Sequence, residues 1–212
     1  MPGVNPRTGR PWRFLVVGAG GHAAVLIDLI RAASIGACIA LMDDAFTNGG
    51  AEVLGVPIIG PIGGLKRIPG DVDAVALGIG DNARRVHFFA LAAGRLAVPS
   101  LIHPGSSVSP SAMLGPGTVI GAGAVVGARA RIGAAVIVNT GASVDHDAVV
   151  RDGAHLAPGA RVAGGAWIGS RALVGLCAGV PAGIRVADDA IVAPGTFARA
   201  DGLWPEIHKN SS

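Results

Sequence analysis

Between Ile102 and Val192 an aliphatic side chain falls at every sixth position: Ile102, Val108, Leu114, Ile120, Val126, Ile132, Val138, Val144, Val150, Leu156, Val162, Ile168, Val174, Val180, Val186 and Val192. Four positions after each comes a small or β-branched residue, usually Ala, as in Ala112, Thr118, Ala124, Ala130, Val136, Ala142 and on to Thr196. A period of six matches neither the 3.6 of a helix nor the alternation of an ordinary strand. It is the repeat of a parallel β-helix made of hexapeptides, three to a triangular coil, and this stretch accommodates about five coils. The aliphatic position is expected to point to the coil axis and stack on its counterparts. The small residue fits beside it where the chain turns a corner, and Gly supplies corner backbone in several repeats.

Composition agrees with thin coils. Hydrophobic residues make up 50% of the chain but aromatics only 4%, so Val, Ile, Leu and Ala must build the interior. The net charge of +3 comes without a Lys/Arg-rich run or an aromatic platform, which argues against nucleic acid and suits small phosphorylated ligands. No apolar run approaches the roughly 18 residues of a membrane span. Met1–Arg13 is polar and Pro-containing, unlike a signal peptide. Cys38 and Cys177 lie in different regions without metal or redox spacing, which fits reduced structural thiols in a cytoplasmic protein.

The chain reads as a flexible segment 1–12, a Rossmann-like α/β unit 13–100, the β-helix 101–199 and a tail 200–212. In the α/β unit, Arg13–Val17, Cys38–Met42, a short stretch within Gly55–Gly60 and Val72–Leu77 read as four strands. Ala23–Ala33 and Ala83–Ala93 read as helices. Strands alternating with helices predict a parallel sheet. The tail loses the six-residue period and carries Trp204, which is expected to cap the last coil.

Gly18-Ala19-Gly20-Gly21-His22 stands where the first strand turns into a helix, a place where backbone N–H groups and the helix dipole receive phosphate. Asp43 follows near the position of a ribose-reading acid, which taken alone suggests NAD. The unit is only about half a dinucleotide fold, so a nucleoside diphosphate fits better. His22, at the helix start, can donate to a phosphate.

Inside the repeats the most polar segment is Asn139–Asp147, where His146 stands between Asp145 and Asp147. A histidine beside a carboxylate is a candidate general base. Alternation along a strand would send His146 and Asp147 to opposite faces unless the coil bends there, which leaves Asp145 open as the partner. His155 comes nine positions later, expected on the next side of the coil. A convex prism face holds no pocket by itself, so a cleft between neighbouring prisms, and with it a symmetric oligomer, is implied. A zinc hydratase would need about three converging histidines, which this spacing does not supply, so no metal is expected.

Taken in order, Gly18-Ala19-Gly20-Gly21-His22, Asp43-Asp44, Gly80-Asp81-Asn82, Ile102-His103-Pro104, Asn139-Thr140, His146-Asp147, His155, Gly164 and Ala187-Asp188-Asp189 resemble the bacterial nucleotide-amino-sugar N-acetyltransferases. These are the bacillosamine and perosamine N-acetyltransferase group of the left-handed β-helix superfamily, with sialic-acid O-acetyltransferases as relatives. The resemblance implies a left-handed coil and a homotrimer with active sites between adjacent helices. The substrates it implies are acetyl-CoA and a UDP- or GDP-linked amino-dideoxy sugar acetylated at its C4 amine; acetylation of a sugar hydroxyl is the alternative. A place in O-antigen or related glycan synthesis follows in the same way.

By resemblance His146 is the base and Asp147 its acid partner. Gly164 would offer the oxyanion N–H, and His155 would lie by the acetyl group. Gly20, Gly21, His22, Asp43, Asp44, Gly80, Asn82 and Asn139 would hold the nucleotide sugar. Leu176 and Pro194, with His155 and Gly164, would line the CoA site. Pro194 replaces a more common Gly, so one backbone N–H contact is lost there, and the ending Leu203–His208 departs from the usual closing segment.

Overall fold

The structure, a computed structural model, describes residues 5–6, 8–45, 50–67 and 70–199. The tail with Trp204, like residues 1–4 and 7 of the first segment, lies outside the described residues. The chain divides into two compact units between Pro104 and Gly105.

The first unit is built on five strands: Trp12–Val17 (β1), Gly36–Met42 (β2), Glu52–Val53 (β3), Val56–Gly60 (β4) and Ala74–Leu77 (β5), in the order β3-β4-β2-β1-β5. All neighbours run parallel except β3 and β4. The four-strand expectation missed β3, a two-residue strand joined to β4 through Leu54 and Gly55. Both of those residues are left-handed (φ 49 and 77), the backbone that a tight hairpin demands.

Phe14–Val17 are fully buried, as an apolar run covered on both faces must be. Helix α1 (Gly21–Ala32) buries Ala23, Leu26, Ile27 and Ile30, spaced to form one stripe; α2 spans Asn82–Ala93. Strand β1 has β2 on one side and β5 on the other, reached by opposite crossovers. The loops after these three strands therefore gather at one edge of the sheet, where open α/β folds bind ligands. Two glycines allow the closeness. A Cβ on Gly18 (φ +102) would come within 2.6 Å of the Gly78 carbonyl, and one on Gly78 within 2.9 Å of the Ala23 Cβ.

In the second unit, two-residue strands recur every six residues from Ser107–Val108 to Ile191–Val192 and pair in parallel with the strand 18 residues on, as in Val125↔Ser143↔Arg161↔Gly179. The result is a left-handed triangular β-helix with three faces. The first carries Ser107–Val108, Val125–Val126, Ser143–Val144, Arg161–Val162 and Gly179–Val180. The second carries Met113–Leu114 to Arg185–Val186, and the third Val119–Ile120 to Ile191–Val192.

From Ile120 onward the aliphatic column is at most 4% exposed, and most of the Ala column is at 0%. Each such Val, Leu or Ile contributes about 1.5–3 kcal/mol of burial. Thr118 joins the small column because its hydroxyl is satisfied: it donates to the Gly133 carbonyl (2.7 Å) and accepts from Val136 N (3.1 Å). Ile102 departs from the expected column. It is 40% exposed, and its neighbour Leu101 is the buried one at 2%. It falls on the Pro104 side of the division between the units.

The corners follow the same clock. Every sixth residue from Gly117 to Gly195 is left-handed, and where Gly is absent Arg129, Ala135, Asp147, Arg171, Cys177 and Asp189 take φ of 51–59. No helix among the described residues is long and apolar enough to cross a membrane.

Candidate active site

The edge of the first unit brings together Gly20, Gly21, His22, Asp43, Asp44, Gly80 and Asn82, all within the loops after β1, β2 and β5 or the helix starts that follow them. Several of these residues already have partners inside the protein. Asp43 accepts from Ala19 N through Oδ2 (2.8 Å) and from Ala45 N through Oδ1 (2.8 Å), so it ties the glycine loop to the end of β2. Asp44 accepts from Ile62 N and from the Arg84 guanidinium, each at 3.1 Å. Asp81 caps α2 by accepting from Arg84 N.

Beneath the loop lies Arg85, 1% exposed, which sequence reasoning missed. It donates to the carbonyls of Ile79 (3.2 Å) and Gly80 (3.0 Å) and to Asn82 Oδ1 (2.8 Å). The readable signal was the second of two adjacent arginines, four positions after the helix cap Asp81. Burial, and secondarily the Arg85 charge, push His22 down to about 4, so its ring is neutral, and its buried Nε2 has no partner among the described residues.

In the β-helix, His146 and Asp147 stand on the corner between the first and second faces. The left-handed backbone of Asp147 (φ 59) is the bend that lets two consecutive side chains meet. His146 Nδ1 lies 2.8 Å from Asp147 Oδ2. Asp145 instead accepts the backbone N–H of His146 through Oδ1 (2.7 Å), so the ring partner is Asp147.

One coil earlier Arg129, also left-handed, grips the same carboxylate: Nε to Oδ1 at 2.7 Å and Nη2 to Oδ2 at 2.8 Å. The Arg129 bonds first, and then His146, hold the Asp147 carboxyl well below the usual carboxylate range. An ionised carboxylate only accepts, so the imidazole hydrogen between the two groups sits on Nδ1, and a ring carrying that one hydrogen presents a bare Nε2.

Gly164 occupies the equivalent corner one coil later. A Cβ there would lie 2.8 Å from both Cε1 and Nε2 of His146, so the ring rests against glycine backbone. Corner residues of this class have an N–H that the backbone ladder leaves unused. Ala134 and Ser170 give theirs to the carboxylates of Asp152 and Asp188, and His146 gives its own to Asp145. The Gly164 N–H has no acceptor among the described residues. A base and an uncommitted donor thus stand side by side.

His155 and Asn139 do not join them. His155 lies on the third face, not the next face after His146 but the one beyond, opposite the corner that carries His146. Its Nε2 is 3.2 Å from Asn139 Nδ2, while Asn139 Oδ1 accepts from Thr140 N. Leu176 and Pro194 stack 18 residues apart on the corner between the third and first faces, with Leu176 53% exposed. Pro194 fits because the ladder needs no N–H at that corner position. Along the first face runs a hollow of about 490 Å³, lined by Val125, Ser143, Asp145, Arg161, Gly179 and Phe197 among others. No cluster of three or more His, Cys, Asp or Glu able to hold a metal occurs among the described residues.

Comparison with known proteins adds three likenesses. Residues 13–91 match the family model described as the PglD N-terminal domain. The acetyltransferase domain of PglB from Neisseria gonorrhoeae is 33% identical over 92% of this chain and 93% of that one, with a TM-score of 0.82. That domain has also been solved in complex with acetyl coenzyme A; the match is 32% identical over 90% of this chain and 94% of that one, with a TM-score of 0.81. PerB from Caulobacter crescentus, solved with CoA and GDP-perosamine, is 36% identical over 88% of each chain, with a TM-score of 0.79. No curated protein sequence matches.

Proposed function

The chain belongs to the bacterial nucleotide-amino-sugar N-acetyltransferase family and is an acyltransferase, and on that premise we propose that it moves acetyl from acetyl-CoA to the C4 amine of a nucleotide-diphosphate-linked amino-dideoxy sugar. The observation that carries the reading is the bare Nε2 of His146 beside the uncommitted N–H of Gly164. Only the free amine attacks, so the ammonium first gives one proton to solvent; as the neutral nitrogen closes on the thioester carbon it gains positive charge, and Nε2 takes one of its two remaining protons. The C–N bond forms, and the carbonyl oxygen becomes an oxyanion that the Gly164 N–H stabilises, a contribution of roughly 3–4 kcal/mol for such a donor. Collapse breaks the C–S bond and CoA departs, taking the proton held by His146 as its thiol.

The nucleotide diphosphate is assigned to the loop Gly18–Gly21, with His22, Gly80 and Asn82 at its edge. The apolar hollow of the first face, which reaches from Asp145 toward Phe197, is assigned to the pantetheine arm. Since His155 and Asn139 face away from His146 within one chain, a complete site takes them from a neighbour, and a homotrimer closes three such sites. The reaction belongs in the cytoplasm, where acetyl-CoA is supplied.

The test is thiol release from acetyl-CoA with UDP- and GDP-linked 4-amino-4,6-dideoxy sugars, wild type beside His146→Ala. Turnover with one nucleotide series, an alkali-stable product and loss of turnover in the variant are expected. No turnover with any amino sugar, or an alkali-labile ester product, refutes the reading; normal turnover by His146→Ala refutes the base.

A further inference from the structure

The β-helix contains two corner pairs of one design. Arg129 and Asp147 are 18 residues apart, as are Arg171 and Asp189; all four residues are left-handed. In each pair Nε meets Oδ1 at 2.7 Å and Nη2 meets Oδ2, at 2.8 and 2.5 Å respectively. An Arg over an Asp on stacked corners is therefore a staple between coils that this chain uses twice.

The surroundings of the two carboxylates differ. Before Asp189 stands Asp188, whose Oδ1 accepts from Ser170 N. Before Asp147 stands His146, and Asp147 Oδ2 accepts from both Arg129 Nη2 and the imidazole Nδ1, each at 2.8 Å.

We propose that Arg129 is a positioning residue for acetyl transfer: its two bonds fix the plane of the Asp147 carboxylate, so that His146 holds its hydrogen on Nδ1 and keeps Nε2 bare beside Gly164. The inference rests on the reading of His146 as the base. The Asp147 and His146 side chains are 43% and 59% exposed, so water competes for their contact. A carboxylate free to rotate would satisfy the imidazole only part of the time. A guanidinium that takes both oxygens removes that rotation, whereas an ammonium offers no fork to fix the plane.

The two staples supply their own control. Arg129→Gln, Arg129→Lys and Arg171→Gln are compared in the full chain by steady-state kinetics with both substrates and by ¹⁵N NMR of histidine-labelled protein, with His146→Asn identifying the His146 signals. For Arg129→Gln, kcat falls on the order of ten- to a hundred-fold, less than a lost base can cost. Both KM values stay within about two-fold. The His146 nitrogens shift from the Nδ1–H tautomer toward the mixture of free imidazole, and Arg129→Lys recovers only part of either effect.

Arg171→Gln lowers thermal stability but keeps wild-type kcat and the wild-type tautomer. If Arg129→Gln matches Arg171→Gln in kcat and in the His146 tautomer, Arg129 is a staple alone and the proposal fails. A wild-type protein without acetyl transfer refutes the parent reading instead, and the tautomer comparison still decides the role of Arg129.

Discussion

Gly164 and His146 share one space: the imidazole lies where the side chain of residue 164 would begin, 2.8 Å from its Cβ position. The ring is exposed and can swing aside, and Gly164 is not among the left-handed residues, so its backbone accepts alanine. Gly164→Ala should leave thermal stability near wild type while moving Nε2 from its place. Since misplacement by about 1 Å can cost on the order of a hundred-fold, kcat should drop on that scale. Wild-type kcat in a folded Gly164→Ala protein would remove the contact from the mechanism.

Subunit mixing tests the composite site. His146→Ala and His155→Ala proteins should each be impaired. Refolded together, they should regain activity, because some interfaces then pair an intact His146 with the intact His155 of the partner subunit. Activity no higher than the average of the two parents would mean that each chain works alone.

The corner staples should be felt as pH dependence. The bonds from Arg171 hold Asp189 below its usual range, so the pair stabilises the fold above the unfolded carboxylate value of roughly 3.9 and loses that effect as pH falls through the lower folded value. Asn adopts left-handed backbone readily, so Asp189→Asn tests the charge without straining the corner. Its melting temperature should lie below wild type at pH 6 and converge with it in strong acid. An unchanging gap would show that charge is irrelevant there.

His22 gives a slope of the same sign from the other unit, but over a higher pH range. Its folded value is pushed from 6.5 to about 4, so between those values the unfolded chain binds the proton first and stability declines as pH drops. His22→Gln should flatten that decline in melting scans from pH 7 to pH 4. Parallel curves would mean that the ring is not held neutral.

The fold was legible because periodicity is a property of sequence. Six-residue spacing identified the coil interior from Ile120 to Val192, with Val108 and Leu114 packed partly buried against it and only the first member, Ile102, exposed. The pairing of His146 with Asp147 was less legible, because strand alternation argues against it. The decisive fact is the left-handed φ of Asp147, and an aspartate in a repeat does not announce its φ. Arg129 was overlooked for a related reason: its partner stands 18 positions away, a separation that means contact only once three hexapeptides are known to close a coil. Asp43 shows the converse. Its place after β2 suggested a ligand reader, while its oxygens already hold Ala19 and Ala45.

The strict clock of the β-helix has a consequence for change by insertion and deletion. Removing one hexapeptide between His146 and Gly164 would exchange like for like in the core, aliphatic over aliphatic and Ala over Ala. Every later residue would nonetheless rotate back onto the preceding face, and Ser170 would arrive above His146 in place of Gly164. The interior therefore tolerates steps of six, but the chemistry tolerates only steps of eighteen. Among coils of different length, the arrangement at His146 can persist only where whole turns have been gained or lost.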